Sequence, residues 1–406
     1  MLTVNEALEV ICSSVKPLPP RRIPLLEAAG YVLAEDVLAD FDIPQAPNSA
    51  MDGYAIHAED SAGASRETPA KLKVIGELAA ESLRESSFPR GSAVQIMTGA
   101  NIPPGADGVI PVEDTEREGD TVLLFKTVPN GSCIRPAGED VRRGETVIPA
   151  GALLGPGHIG MLASLGRSAV SVQGPAEVAI LATGNEIIQI DEPMAPGRIR
   201  NSNSYALAAL VKKYGARPRM LGIGRDSFEA LLEKLREGVS ADMLLTTGGV
   251  SMGNYDLVQE SLKRLGVQVK FWKVSIQPGK PLVFGLFGEK PVFGLPGNPV
   301  SAMVCFEEFV RPALMILLGR QDRFLPESTA VAEEDFRSSP YRTQFVRGVV
   351  SRGEGGLRVR STGSQGSHLQ HSMVRANVFV VVPAGTETIR RGDCVRVQLF
   401  NLNFLG

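Results

Sequence analysis

Histidine and cysteine are both scarce in this 406-residue chain, with four of each, and that scarcity limits what the protein can be. Cys12, Cys133, Cys305 and Cys394 lie far apart and make no C-x-x-C pair, so neither a disulfide framework nor a zinc site of ordinary spacing is expected. His368 and His371, in HLQH, have helical spacing, but no further ligand accompanies them in sequence, and an ordinary surface role outweighs a metal site. A strongly signed charge is lacking too. The net charge is -3, and Lys and Arg are scattered rather than gathered into a stripe, which argues against a nucleic-acid partner. Long apolar runs are missing; ALMILL at 313–318 is the strongest and is far shorter than a membrane span. The start, MLTVNEALEVICSSV, carries two glutamates and no basic stretch, unlike a secretory signal. With 43% apolar and 21% charged residues, a soluble cytoplasmic protein of several domains is expected, with no membrane partner.

What is present changes character along the chain. Thr3-x-x-Glu6 is a capping box opening an amphipathic helix with Ala7, Leu8, Ile11 and Val15 on one face. PLPPRRIP breaks that helix into an extended connection, and a second short helix is expected around Leu25–Val32. From Ile56 to about Val141 short β runs follow one another, KLKVIGEL, GSAVQIM, DGVIPVE and TVLLFKTV, separated by turn signals. GHIGMLASLG at 157–166 resumes a helical period, so the β stretch reads as an insertion. From Pro175 strand and helix alternate: VAILA, SYALAALVKKYG, RMLGIG, SFEALLEKLREG, MLLTT and YDLVQESLKRLG, then strands at VKFWKV, PLVFGLF and PVFGL, then a long helix from Pro299 to Leu318. That spacing predicts a doubly wound parallel sheet. The tail after Leu325 alternates as QFVRGVV, GLRVR, NVFVVV and CVRVQLF, a small sandwich or barrel.

In open α/β sheets ligands sit beyond the C-terminal ends of the strands. Four such ends here combine glycine with polar residues: Gly184, Asn185 and Glu186; Gly224, Arg225 and Asp226; Gly248, Gly249, Ser251 and Asp256; Gly297, Asn298 and Ser301. Glycine lets backbone approach a ligand closely, and helix starts attract oxyanions. Taken singly, Asp226 and Asp256 read as helix N-terminal carboxylates, Gly-Gly as a tight turn, and Pro299 as a favoured first helical residue. Convergence on one sheet edge favours a site. None of the loops is a P-loop or a G-x-G-x-x-G fingerprint. Several carboxylates beside an oxyanion require cations, and oxygen-only ligands suit Mg²⁺.

SAMDGYA, MTGA, GEDVRRGE, ATGNE, TTGGVSMGNYD, PGKPLVFG, GLPGNPVSA and GSQGS occur in this order over nearly the whole chain. On these motifs the sequence closely resembles the molybdopterin molybdenumtransferases, the bacterial MoeA proteins, related to the E domain of gephyrin and the plant molybdenum insertase. TTGGVS and GLPGNPVS are shared with the smaller molybdopterin adenylyltransferases; SAMDGYA and the β tail single out the larger family.

The resemblance implies a multidomain α/β plus β fold. Its parts are a discontinuous elongated helical and extended domain at 1–44 and 142–174, an inserted β-rich domain at 45–141, a molybdopterin-binding α/β domain at 175–324, and a C-terminal β-barrel or sandwich at 325–406. It implies a homodimer that inserts molybdate into adenylylated molybdopterin with Mg²⁺-dependent release of AMP. Asp256, Asp226 and Glu186 match its catalytic, metal-holding carboxylates. Gly248, Gly249, Ser251, Pro296, Asn298, Pro299, Asp52, Thr98 and Asp140 match substrate-contacting positions. Lys280, Lys273, Arg347, Ser301 and Ser367 are candidates for holding molybdate, which is a substrate; the pterin's dithiolene sulfur takes the metal. Without the resemblance Arg347 reads as a solvated strand charge. Many relatives carry lysine where this chain has Gln277. A molybdopterin adenylyltransferase and the enzymes that accept the finished cofactor are the implied partners. Two other readings stand beside this one: that the chain is itself such an adenylyltransferase, against which its extra domains argue, and that it is a gephyrin-like scaffold, against which the retained carboxylates and Lys280 argue.

Overall fold

The computed structural model describes residues 1–79, 87–225, 227–249, 255–337, 341–353 and 355–401, with the side chains of 255, 256 and 259 left out. Two compact units are present: Met1–Ala34 with Gly151–Gly160 and Arg167–Gly406, and Glu35–Ala150 with Met161–Gly166.

In the inserted unit six strands form one sheet in the order Gly108–Pro111, Gly53–Ile56, Ser92–Ile96, Ala70–Leu78, Thr121–Leu124, Thr115–Glu118. Alternation divides its side chains between two cores. Tyr54, Ile56 and Ile110 pack on one face, while Ala55, Val94 and Val109 pack on the other. The unit reaches further out than residues 45 and 141, because Val37–Leu38 pairs with Thr146–Ile148 and Ile43 bridges to Val141.

The larger unit opens with α1 (Val4–Ser14), whose capping box forms as its sequence requires. Pro20–Pro24 is extended and pairs with Ala169–Gln173, rejoining the chain after the insertion. The short helix expected at 25–32 is a single 3₁₀ turn, Leu25–Ala28.

Next come β1 (Glu177–Thr183), α2 (Ser202–Lys213), β2 (Arg217–Gly224), α3 (Phe228–Gly238), β3 (Met243–Thr247), α4 (Tyr255–Leu265), β4 (Gln268–Trp272), β5 (Val283–Phe287), β6 (Lys290–Leu295), α5 (Pro299–Cys305) and α6 (Arg311–Leu317). The strands form one sheet in the order β2-β1-β3-β6-β5-β4. Four are parallel, but β5 runs antiparallel to β6 and β4 to β5, so the sheet is mixed rather than wholly parallel. Only Gly288 and Glu289 separate β5 from β6, and two residues can join only antiparallel neighbours. Helices cover both faces: α2 and α5 pack with Val178, Ile180 and Leu245, while α3 and α4 pack with Ala179, Leu181 and Leu244. Burial on both sides is why these strands read as unbroken apolar runs. The expected long helix is interrupted by a π-helical segment, Phe306–Val310. Its last part, Arg311–Leu318, is buried throughout, which accounts for the ALMILL run. Among the described residues no helix is long and apolar enough to cross a membrane.

The tail is a closed five-stranded barrel of β7 (Glu327–Ala332), β8 (Thr343–Gly353), β9 (Gly356–Ser361), β10 (Val378–Val382) and β11 (Cys394–Leu399), with β8 paired to both β9 and β10. Phe345, Phe379 and Val381 of the barrel join the core of α1, the sheet and α6. Ile276–Gln277 adds a short parallel pairing to β8, where Gln344 Nε2 donates to Gln277 Oε1 at 3.3 Å.

Candidate functional site

From β1 the chain turns through α2 to β2 on one side; from β2 it returns through α3 to β3 on the other. The direction of winding therefore reverses between β1 and β3, where adjacent strand ends leave a crevice. A cavity of about 650 Å³ lies there, walled by Thr183 at the end of β1 and Glu186 beyond it, by Thr247 at the end of β3 with Gly248 and Gly249 beyond it, and by Pro296–Pro299 after β6.

Two glycines make the close meeting of β1 and β3 possible. Gly248 and Gly249 hold φ of 89° and 66°, a region L side chains rarely adopt. A Cβ on Gly248 would lie 2.4 Å from the Thr183 carbonyl oxygen, and one on Gly249 would lie 2.6 Å from Thr183 Oγ1. The sequence suggests glycine for the sake of a ligand; here it is equally required by the neighbouring strand. The Gly248 N–H donates to the Leu295 carbonyl at 3.2 Å, so it is taken within the fold.

Hydrogen bonds tie the three walls together. Asn203 Nδ2 donates to Thr247 Oγ1 at 2.8 Å and to the Gly297 carbonyl at 2.8 Å. Thr247 Oγ1 donates onward to the Pro296 carbonyl at 3.2 Å. Asn298 Nδ2 donates to Ser367 Oγ at 2.9 Å, and the Val300 N–H donates to the Ser367 carbonyl at 3.1 Å. Through Ser367 the GSQGS loop thus caps the start of α5, consuming part of the donor set that a bare helix end offers to an anion. The loop after β1 is held by cations: Arg198 donates to the Asn185 carbonyl, Arg225 to the carbonyls of Asn185 and Ile187, and Arg200 to that of Ile190.

Of the residues singled out from sequence, Glu186, Gly248, Gly249, Pro296, Asn298 and Pro299 line the cavity. Ser367 reaches it indirectly through Asn298. Ser301 is buried in α5, and Lys273 and Lys280 are exposed on the loop between β4 and β5; none of the three is a lining residue. Nor is Arg347, which is not a solvated strand charge: it is 1% exposed, and its Nε and Nη2 donate to Ser372 Oγ and the Gly366 carbonyl, each at 3.1 Å. Burial lowers its pKa to about 10, leaving it a cation that braces the GSQGS loop from within. In the inserted unit Asp52 and Thr98 meet: Asp52 Oδ1 accepts from the Thr98 N–H at 2.6 Å and from its hydroxyl at 2.8 Å, which holds the carboxyl below its ordinary pKa. Asp140 is exposed in the same unit. Asp226 and Ser251 lie outside the described residues, as does the side chain of Asp256, whose backbone stands in the first turn of α4.

The cavity also holds residues that the sequence motifs do not single out: Arg200, Asn201, Ser202 and Asn203 from the start of α2, and His368 and Gln370 from the loop before Ser372. A signal exists for the first group. Asn-Ser-Asn-Ser directly before an apolar-periodic helix marks an N-terminus, and Asn201 does cap α2 by accepting from the Ser204 N–H. Among the described residues no cluster of three or more His, Cys, Asp or Glu could hold a metal ion. The exposed carboxylate of Glu186 is a hard oxygen donor, and with the carboxylates that follow the next two strands in sequence, Asp226 and Asp256, the donor chemistry fits Mg²⁺ rather than a thiophilic metal.

Comparison with known proteins agrees with this architecture. Residues 2–166 match the family described as MoeA N-terminal region (domain I and II), 179–315 the probable molybdopterin binding domain, and 329–400 the MoeA C-terminal region (domain IV). The chain is 36% identical to a molybdopterin molybdenumtransferase of Haemophilus influenzae, over 99% of both chains. It is 34% identical to one of Bacillus subtilis, over 98% of this chain and 94% of the other. The crystal structure of a molybdopterin biosynthesis moea protein from Pyrococcus horikosii superposes with a TM-score of 0.84 at 32% identity, covering 99% of each chain. On full-length relatives, three matched regions and a shared fold, the chain belongs to the MoeA family of molybdopterin molybdenumtransferases.

Proposed function

We propose that the cavity between β1, β3 and β6 takes adenylylated molybdopterin, and that the protein transfers molybdate onto its dithiolene while the phosphate anhydride is split and AMP leaves. The observation that supports this reading is the locked pair of strand-end loops, Gly248–Gly249 and Pro296–Asn298, at the point where the sheet reverses its winding. Arg200 and His368 line the same cavity as those loops. Arg200 gives charge and His368 a ring nitrogen, both suited to phosphate oxygens. Glu186, with Asp226 and Asp256, would hold Mg²⁺, which supplies charge neutralisation on the departing phosphate. Lys280, Lys273, Ser301 and Ser367 remain the molybdate candidates, with Arg347 acting through the loop it braces. The working form in this reading is a homodimer.

The test is AMP release. Purified protein incubated with adenylylated molybdopterin and Mg²⁺ is expected to release AMP only when molybdate is added. Substrate that stays bound and uncleaved with molybdate present overturns the proposal. So does formation of the adenylylated product from ATP and molybdopterin by this chain alone, which is adenylyltransferase chemistry.

A further inference from the structure

We propose that Asn203 is the positioning residue that sets the geometry of the substrate loops, a role that rests on the functional reading above. Its amide lies at the start of α2, and both of its contacts lie on other segments, 44 and 94 residues away in sequence. The orientation of the amide is fixed by chemistry. The Gly297 carbonyl can only accept, so the nitrogen must face it. That same nitrogen reaches Thr247 Oγ1, whose single proton is then directed to the Pro296 carbonyl at 3.2 Å. A one-way chain results, Asn203 to Thr247 to Pro296, with a branch from Asn203 to Gly297. Thr247 is 3% exposed, so water is a poor replacement for either partner.

The consequence is mechanical. Gly297 stands so close to the other loop that a Cβ upon it would be 3.5 Å from Gly248 Cα. With Asn203 holding Gly297 and Thr247 together, the Gly248–Gly249 and Pro296–Asn298 loops keep one spacing. A ligand spanning both then meets a preformed surface. Remove the amide and the Gly297 carbonyl loses its tether, leaving only the Thr247–Pro296 and Gly248–Leu295 bonds between the loops, which weakens ligand binding before it unfolds the sheet.

The experiment compares wild type, Asn203→Ala, Thr247→Val and the double variant. Dissociation constants for adenylylated molybdopterin and melting temperatures are measured for all four, with KM and kcat for AMP release. Asn203→Ala is expected to weaken binding by at least about tenfold, with KM rising by more than kcat falls. Because both residues act through one chain of bonds, the double variant should bind within about twofold of the weaker single variant rather than showing the product of both losses. Should Asn203→Ala fail to fold, Asn203→Asp keeps the shape, removes both donors and sets oxygen against the Gly297 carbonyl; it is expected to show the same loss. Wild-type affinity in the folded variants, or multiplicative losses in the double variant, overturns the role of Asn203 alone. A wild-type chain that does not bind the substrate overturns the functional reading as well.

Discussion

Gly248→Ala measures how tightly the strand ends at the site are built. Two costs add. Holding alanine at a φ near 89° costs about 1–2 kcal/mol for an L residue. Its methyl group would also stand 2.4 Å from the Thr183 carbonyl oxygen. That oxygen belongs to the backbone of β1, so the strand itself must yield, an overpacking cost of about 1–3 kcal/mol. The total is roughly 2–5 kcal/mol, or roughly 5–15 °C in melting temperature for the α/β domain. Gly215→Ala is the control: Gly215 has φ 87°, but nothing lies within 4 Å of the place its methyl group would take, so only the first cost applies. Differential scanning calorimetry of both variants gives the comparison. If Gly248→Ala loses no more than Gly215→Ala, the close approach of Thr183 and Gly248 is not what demands glycine.

Other consequences are as direct. Burial, reinforced by the neighbouring Glu307 carboxyl and opposed by a bond from Gln398, pushes Glu308 from an ordinary 4.5 up to about 8. The folded state therefore binds this proton more tightly than the unfolded state. The stability it contributes is fully present below pH 4.5 and is lost as pH rises toward 8, on the order of 3 kcal/mol between pH 5 and 7.5. Glu308→Gln should flatten that decline in chemical denaturation, and an unchanged slope would contradict the assignment. Arg347→Ala should destabilise the protein by roughly 2–4 kcal/mol, because it empties a buried volume and takes one donor each from the Gly366 carbonyl and Ser372 Oγ, which keep only their bonds to Leu369. Exposed Lys280→Ala should leave melting almost unchanged yet raise the molybdate concentration for half-maximal AMP release; an unaltered molybdate dependence removes Lys280 from the site. Sedimentation equilibrium is expected to show a dimer, and a fully active monomer would refute that assembly.

The parts of the fold legible in sequence are those where local chemistry and tertiary packing agree. Thr3 and Glu6 announce a helix start and form one. The doubly buried strands β1 and β3 carry unbroken apolar runs, VAILA and MLL, so their place in a covered sheet can be read directly. The antiparallel edge is written in the two-residue link at Gly288–Glu289, but the apolar runs on either side suggest more parallel strands. Arg347 misleads because a single charge in a strand usually faces water. By alternation it shares a face with Phe345, and that face packs against the sheet domain rather than solvent. Asn203 escapes a reading of sequence because 19 residues separate it from Thr183 at the end of β1, and only the folded chain returns it to Thr247 and Gly297. Gly248 and Gly249 stand out in sequence, yet half their reason, the carbonyl and hydroxyl of Thr183, lies on another strand.

A crystal structure of the protein soaked with AMP and molybdate tests the central claim most directly, since it locates both halves of the reaction. The account predicts the AMP phosphate in the cavity between Gly248–Gly249 and Pro296–Asn298, with molybdate near enough for one substrate to span both. Ordered AMP bound elsewhere, with that cavity holding only water, would contradict it.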